Sequence, residues 1–224
     1  MLTVPISISG ITYTKTAGQL NVAFGTGDMT NLNLAGKIPY VDNKVYSLQG
    51  SEESFFTNSS YAPSDLVDVS SGVSACPMPA GKKGWMFSLN SQSAITETGA
   101  YVNTLYGKVA SKVIQYGGAT IVTVYKPRVD GQCSIGDSAL FLRDSVCGTS
   151  KQSQAFSNAM IGGAAVIGDT VVIGISGASG KKTMNTSTGN IFTKVDNLII
   201  GKGAFDFSTS GIGSVNIYNK QRVR

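Results

Sequence analysis

The chain predicts an all-β fold of antiparallel sheets, and three observations carry that prediction. Short apolar or alternating runs recur, each closed by Gly, Pro, Asn or Asp, as half-buried strands require. Gly84-Trp85-Met86-Phe87-Ser88-Leu89 and Thr120-Ile121-Val122-Thr123-Val124-Tyr125-Lys126-Pro127 are two of them. Glycine is abundant, with 27 in 224 residues, while charged residues make up only 14%. That composition suits turns and strands better than helices. Finally, Gly117-Gly118 and Gly168-Asp169 each separate two such runs, the spacing of a two-residue hairpin.

Taken in order, strands are expected near residues 4–13, 19–26, 44–49, 84–89, 108–116, 119–126, 138–143, 162–167, 170–176, 191–200 and 213–218. The second ends in Phe24-Gly25-Thr26-Gly27-Asp28, where two glycines permit a bend at a crowded strand end. The third is Lys44-Val45-Tyr46-Ser47-Leu48, and the fourth carries Trp85, the single tryptophan and an expected core anchor. The fifth and sixth flank Gly117-Gly118; the eighth and ninth flank Gly168-Asp169. The best helix-like stretch, 152–160, is short and Ser-rich. Two polar insertions interrupt the series, at 51–80 and 176–190, and the whole of 1–224 reads as one domain.

Composition excludes several function classes. The hydrophobic content of 42% argues against disorder for the chain as a whole. The net charge of +5 is spread out, and the local concentrations at Lys82-Lys83, Lys181-Lys182 and Lys220–Arg224 do not interleave with aromatics. No nucleic-acid platform is expected. No segment reaches the roughly 20 apolar residues of a membrane span. The N-terminus lacks the basic region and long apolar core of a signal peptide.

The order of the strand words carries a resemblance. A strand ending in Phe24-Gly25-Thr26-Gly27 precedes one centred on Tyr46-Ser47-Leu48. Gly84-Trp85-Met86-Phe87-Ser88-Leu89 follows, then a strand closing in Tyr125-Lys126-Pro127, then Cys133 and a small-residue turn before Ala139-Leu140-Phe141-Leu142. This series resembles the C-terminal β-propeller of the PilC/PilY family of type IV pilus biogenesis and tip adhesin proteins. The resemblance covers most of residues 18–218, as the last blades of that domain. Phe141 stands where the family often has Tyr, and the chain ends in Arg222-Val223-Arg224 where the family runs on into a Ser-Trp-Arg-Glu-like end. Grouped four to a blade, the strands make about three blades of an incomplete propeller. The resemblance implies an exported, extracellular location at the cell surface or pilus tip, as part of a longer precursor. It also implies binding to pilus components such as minor pilins, or to a host or abiotic surface.

Candidate chemistry is sparse. With no histidine, Ser-His-Asp, Cys-His and the common zinc signatures are absent. Ser179 near Lys181 is too local to make a convincing dyad, and no spacing singles out a carboxylate pair. Gly174–Thr183 resembles a phosphate loop only briefly: Ile175 occupies the first Gly position and Lys182 the Ser/Thr position. Calcium loops occur in some members of the family. Here there is no EF-hand run, and the oxygen-rich stretches are 28–33 and 130–137, the latter giving Asp130 and Asp137 as weak candidate calcium ligands. Asx-turns capping strand ends are the competing reading. Cys76, Cys133 and Cys147 suit one disulfide and one free thiol, or three reduced thiols in a cytosolic protein. The extracellular family, together with two cysteines bracketing one strand, leads to an expected Cys133–Cys147 bond. That bond requires both flanks of the strand to fold back, because its extended length is about 16 Å.

The expected function is therefore non-catalytic: a surface binding module supporting pilus assembly and adhesion, with no organic cofactor. The loops at 51–80 and 176–190 are its expected binding surfaces. The alternative is a structural subunit of a homo-oligomer or extracellular filament that completes its sheets with other chains.

Overall fold

The structure, a computed structural model, describes residues 8–16, 19–27, 42–51, 61–72, 75–95, 101–104, 106–127, 135–167, 170–177, 192–195 and 197–202. Sixteen strands follow one another within these residues. They are β1 (Ile8–Thr16), β2 (Gln19–Thr26), β3 (Lys44–Ser51), β4 (Val67–Asp68), β5 (Gly84–Ser88), β6 (Ser93–Ile95), β7 (Tyr101–Asn103) and β8 (Lys108–Val109). Then come β9 (Ile114–Tyr116), β10 (Ala119–Lys126), β11 (Asp137–Asp144), β12 (Ser150–Phe156), β13 (Met160–Ile167), β14 (Thr170–Ser176), β15 (Phe192–Val195) and β16 (Leu198–Lys202). Helix among the described residues is confined to two single 3-10 turns, Pro63–Asp65 and Leu89–Ser91.

The strands form three main sheets and one ribbon. The first sheet has the order β1-β2-β3-β5-β4, the second β12-β11-β10-β8 with β9 also on β10, and the third β13-β14-β16-β15; β6 and β7 make the ribbon. Pairing is antiparallel throughout except for the short β4–β5 pair. The result is all-β and propeller-like: three antiparallel sheets of four or five strands, stacked in series. The Gly117-Gly118 hairpin forms as expected, joining β9 to β10 with Tyr116 opposite Ala119. Both glycines have positive φ, 52° and 71°, as a type I′ turn demands. Gly168 and Asp169 lie outside the described residues, but Ile167 sits opposite Thr170, so β13 and β14 pair as a hairpin around them.

The central sheet is packed on both faces. Val122, Val124, Ala139, Phe141 and Ala155 face the first sheet in one core with Ala23, Val45, Trp85 and Phe87. Ala119, Ile121, Leu140, Leu142 and Phe156 face the third sheet in a second core with Ile161, Val171, Ile173, Ile175 and Ile199. This is why β10 and β11 read as near-continuous runs: every residue from Ala119 to Tyr125 and from Ser138 to Arg143 is buried, so neither strand has a wet face to fill with polar residues.

Several sequence expectations change. The helix-like stretch 152–160 contains most of β12, an edge strand paired with β11; its Ser and Gln residues reflect that edge position, not a helix. The 108–116 run breaks into β8 and β9, and 191–200 folds into the β15–β16 hairpin. The 213–218 strand lies outside the described residues. Residues 61–80 are no loose insertion. Val67 and Asp68 pair with Trp85 and Met86, and Leu66, Val69 and Ala75 are buried. Their spacing is too irregular to show a strand or helix period.

Candidate functional site

The densest set of specific contacts surrounds the β11–β12 turn, Asp144–Thr149. The Asp144 carboxylate accepts the N–H groups of Val146 and Cys147 at 2.9 and 3.0 Å, the self-capping arrangement that makes Asp a turn former. Its other oxygen pairs with Lys151 at 3.5 Å. The turn carbonyls are then taken by other elements. Trp85 Nε1 donates to Ser145 O at 3.2 Å, Gln49 Nε2 donates to Val146 O, and Ala75 N–H donates to Cys147 O at 3.3 Å. Gly148, with φ of +66°, lies so close to the Trp85 ring that a Cβ there would stand 2.7 Å from it.

Cys147 is disulfide-bonded to Cys76, with Cα atoms 5.1 Å apart, inside the normal range for a bridge. This corrects the expected Cys133–Cys147 pairing. Cys133 lies outside the described residues. The bond joins the 75–80 segment to the β11–β12 turn, a contact between two sheets that sequence spacing does not reveal. Asp144 stands beside it, with Oδ1 3.3 Å from Cys147 Sγ.

Arg143, at the end of β11, is 3% exposed and has no carboxylate partner among the described residues. Nη1 donates to Gly148 O at 2.9 Å and Nη2 to Gln92 Oε1 at 2.6 Å, and the guanidinium lies 4.2 Å over the Phe87 ring. Nε has no acceptor among the described residues. Burial alone pushes its pKa down to about 10, so it stays charged at neutral pH, held by dipoles and a ring face. Sequence reading missed it because Arg143 ends a strand beside Asp144 and looks like half of a surface pair.

Asp137, one of the two calcium candidates, opens β11 and accepts the N–H of Asn158, 21 residues on, at 3.1 Å, a tertiary contact to the segment between β12 and β13. Asp130 and the rest of 128–134 lie outside the described residues. Asp137 lines a shallow cleft that encloses no water-sized space, with Asn103, Thr104, Lys126 and Ser138. The polar groups of this cleft are occupied structurally. Lys126 Nζ donates to Asn103 at 2.8 and 3.0 Å. Ser138 Oγ donates to Ala159 O and accepts from Ile161 N–H. Thr104 Oγ1 donates to Leu89 O at 2.6 Å.

The Gly25-Thr26-Gly27 strand end is structural. A Cβ on Gly25 would meet Val109 at 2.2 Å, and Thr26 Oγ1 accepts the Lys44 N–H at 2.8 Å. Trp85 is fully buried, as expected of a core anchor. Ser179, Lys181 and nearly all of 176–190 lie outside the described residues. No helix among the described residues is long and apolar enough to cross a membrane.

One surface stands out by its chemistry. On the third sheet, the side facing away from the second carries Ala165, Ile167, Val172, Leu198 and Ile200. Cross-strand register fixes this: Ala165 lies opposite Val172 and Val172 opposite Ile200. Ile167 is 69% and Leu198 43% exposed. Met160, Thr170, Gly174 and Ser176 share this face, and Lys202 takes the register position opposite Thr170 at its end. Comparison of the chain with protein-family models, with curated proteins and with solved structures finds no match.

Proposed function

We propose that the chain is a non-catalytic, extracellular binding module built from the last blades of a propeller of the PilC/PilY kind, and that it docks through the outward face of its third sheet. The observation that carries this is the serial packing of the sheets. The first packs on the second and the second on the third through apolar faces. The third then presents a further apolar face, with Ile167 and Leu198 substantially exposed. A largely apolar sheet face continuing an existing stack is suited to receive another sheet. The disulfide is compatible with an extracellular setting. The family resemblance suggests minor pilins or a host or abiotic surface as the larger partner.

A second reading is favoured by the same face: a homo-oligomer in which a second copy continues the stack. Light scattering on the full chain separates the two. Wild-type protein that is dimeric or larger, and monomeric after Ile167→Glu with Leu198→Glu, supports self-association through this face. A monomeric wild type that captures pilus components, and loses them in the same variant, supports the binding module. Unchanged size and unchanged capture in the variant reject the face as the contact surface.

A further inference from the structure

We propose that reduction of the Cys76–Cys147 bond converts this corner of the molecule into a site for a thiophilic divalent cation of the zinc class, held by Cys76, Asp144 and Cys147. The test sets the redox state directly, so its outcome does not turn on the pilus reading. The ligand atoms of these three residues all lie within 4.8 Å of one another. Ligands around a tetrahedral ion with metal–sulfur bonds of about 2.3 Å stand roughly 3.8 Å apart, so small side-chain rotations separate the sulfurs to the distance a metal requires. Two thiolates and a carboxylate, with water in the fourth position, form a donor set that zinc accepts and that calcium or magnesium does not.

The surroundings are arranged before any ion arrives. Asp144 Oδ1 lies 3.3 Å from Cys147 Sγ and is fixed by the Val146 and Cys147 N–H groups, and Lys151 holds Oδ2. Thr149 Oγ1 lies 3.4 Å from Cys147 Sγ and 3.6 Å from Cys76 Sγ, placed as an outer hydrogen-bond partner. One contact between the two arms does not depend on the covalent bond, the Ala75 N–H donating to Cys147 O, while Trp85, Gln49 and Arg143 hold the turn carbonyls. Cys76 is exposed and Cys147 is 1% exposed, so an ion enters from the Cys76 side.

The chemistry balances simply. A phosphine or dithiol reductant supplies two electrons, the S–S bond breaks, and two protons complete the thiols. Metal binding then releases both thiol protons as the thiolates coordinate. Disulfide and metal use the same sulfur electrons, so the two states exclude each other, and the redox state gates the site.

The test uses the full chain carrying Cys133→Ser, which leaves the pair as the only cysteines. Reduced by a phosphine and freed of it without oxygen, the protein is titrated with Co2+ as a spectroscopic substitute and then with Zn2+. Trp85, packed on Gly148, reports by its emission whether the turn stays folded. The expected result is one Co2+ per chain, with sulfur-to-metal charge-transfer and tetrahedral d–d bands that Zn2+ abolishes. The oxidised protein should bind none. Asp144→Asn, which retains an acceptor for the turn N–H groups, should weaken Zn2+ affinity about 10-fold or more, and Cys76→Ser should weaken it further. Absence of stoichiometric binding overturns the proposal. So does unchanged affinity in Asp144→Asn or Cys76→Ser, and so does loss of the native Trp85 emission on reduction alone.

Discussion

Arg143 shows how a single buried charge can be structural. Its guanidinium has left water for two oxygen acceptors and the Phe87 ring. Its depressed pKa, about 10, means that the burial cost is fully present below that value, including at neutral pH, and would fade only as pH rises toward the unfolded arginine's. Lysine cannot reproduce the fork that spans Gly148 O and Gln92 Oε1. Arg143→Lys should therefore lower stability by about 2–4 kcal/mol in denaturant titration of the oxidised protein. Arg143→Met strands the same two acceptors, whereas Arg143→Met with Gln92→Met removes one along with its donor. The double variant should recover part of the loss; equal destabilisation of the two would show that the Gln92 contact is not coupled to Arg143. At Gly148, the positive φ and the 2.7 Å approach to Trp85 act together. Gly148→Ala should cost about 1–3 kcal/mol and shift Trp85 emission.

At the scale of elements, the 61–80 segment is the one whose role changed most between sequence and structure. Leu66 is 6% exposed and Val69 fully buried, so cutting out 52–69 removes part of the core and should collapse the melt. A milder probe is Leu66→Ala, expected to cost about 2–4 kcal/mol; a loss under about 0.5 kcal/mol would restore the segment to the status of a loop. Its entry turn also carries a pH signature. Asp65 is held below the ordinary carboxylate range, first by the Ala62 N–H and less strongly by Lys83, against some opposing desolvation. A depressed folded pKa gives stability that is present above the unfolded value and lost as pH falls through the folded one. Acid unfolding should therefore be shallower in Asp65→Asn than in wild type across that window, read by circular dichroism at a series of pH values.

The whole molecule is held as a stack with a covalent clamp at one corner. The Cys76–Cys147 bond spans a sequence separation of 71 residues. Loop-closure entropy for such a span is worth about 4 kcal/mol, a large part of the stability of a typical domain. Cys76→Ser should lower the denaturation midpoint by a corresponding amount, whereas Cys133→Ser should leave it unchanged. A drop in the Cys133 variant and none in the Cys76 variant would reverse the pairing.

The sequence by itself determined the β class, the bounds of β2, β10 and β14, and the Gly117-Gly118 turn. These rest on local physics: periodicity of burial along a strand, and the positive φ that glycine alone adopts cheaply. It also marked Trp85 as a core anchor and Gly25 as a crowded position. Tertiary structure decided what depends on partners distant in sequence. Cys147 meets Cys76 and not Cys133, because a turn between β11 and β12 lands on the segment preceding β5. Ser- and Gln-rich β12 is a strand because β11 offers it an edge. Leu66 and Val69 are core because the first sheet has an end for them to cover. Arg143 can be buried because Gly148, Gln92 and Phe87 converge on it from three separate stretches of chain. The outward apolar face of the third sheet was present in the sequence as ordinary strand alternation, and only the stacking order showed which side of that alternation is left facing solvent.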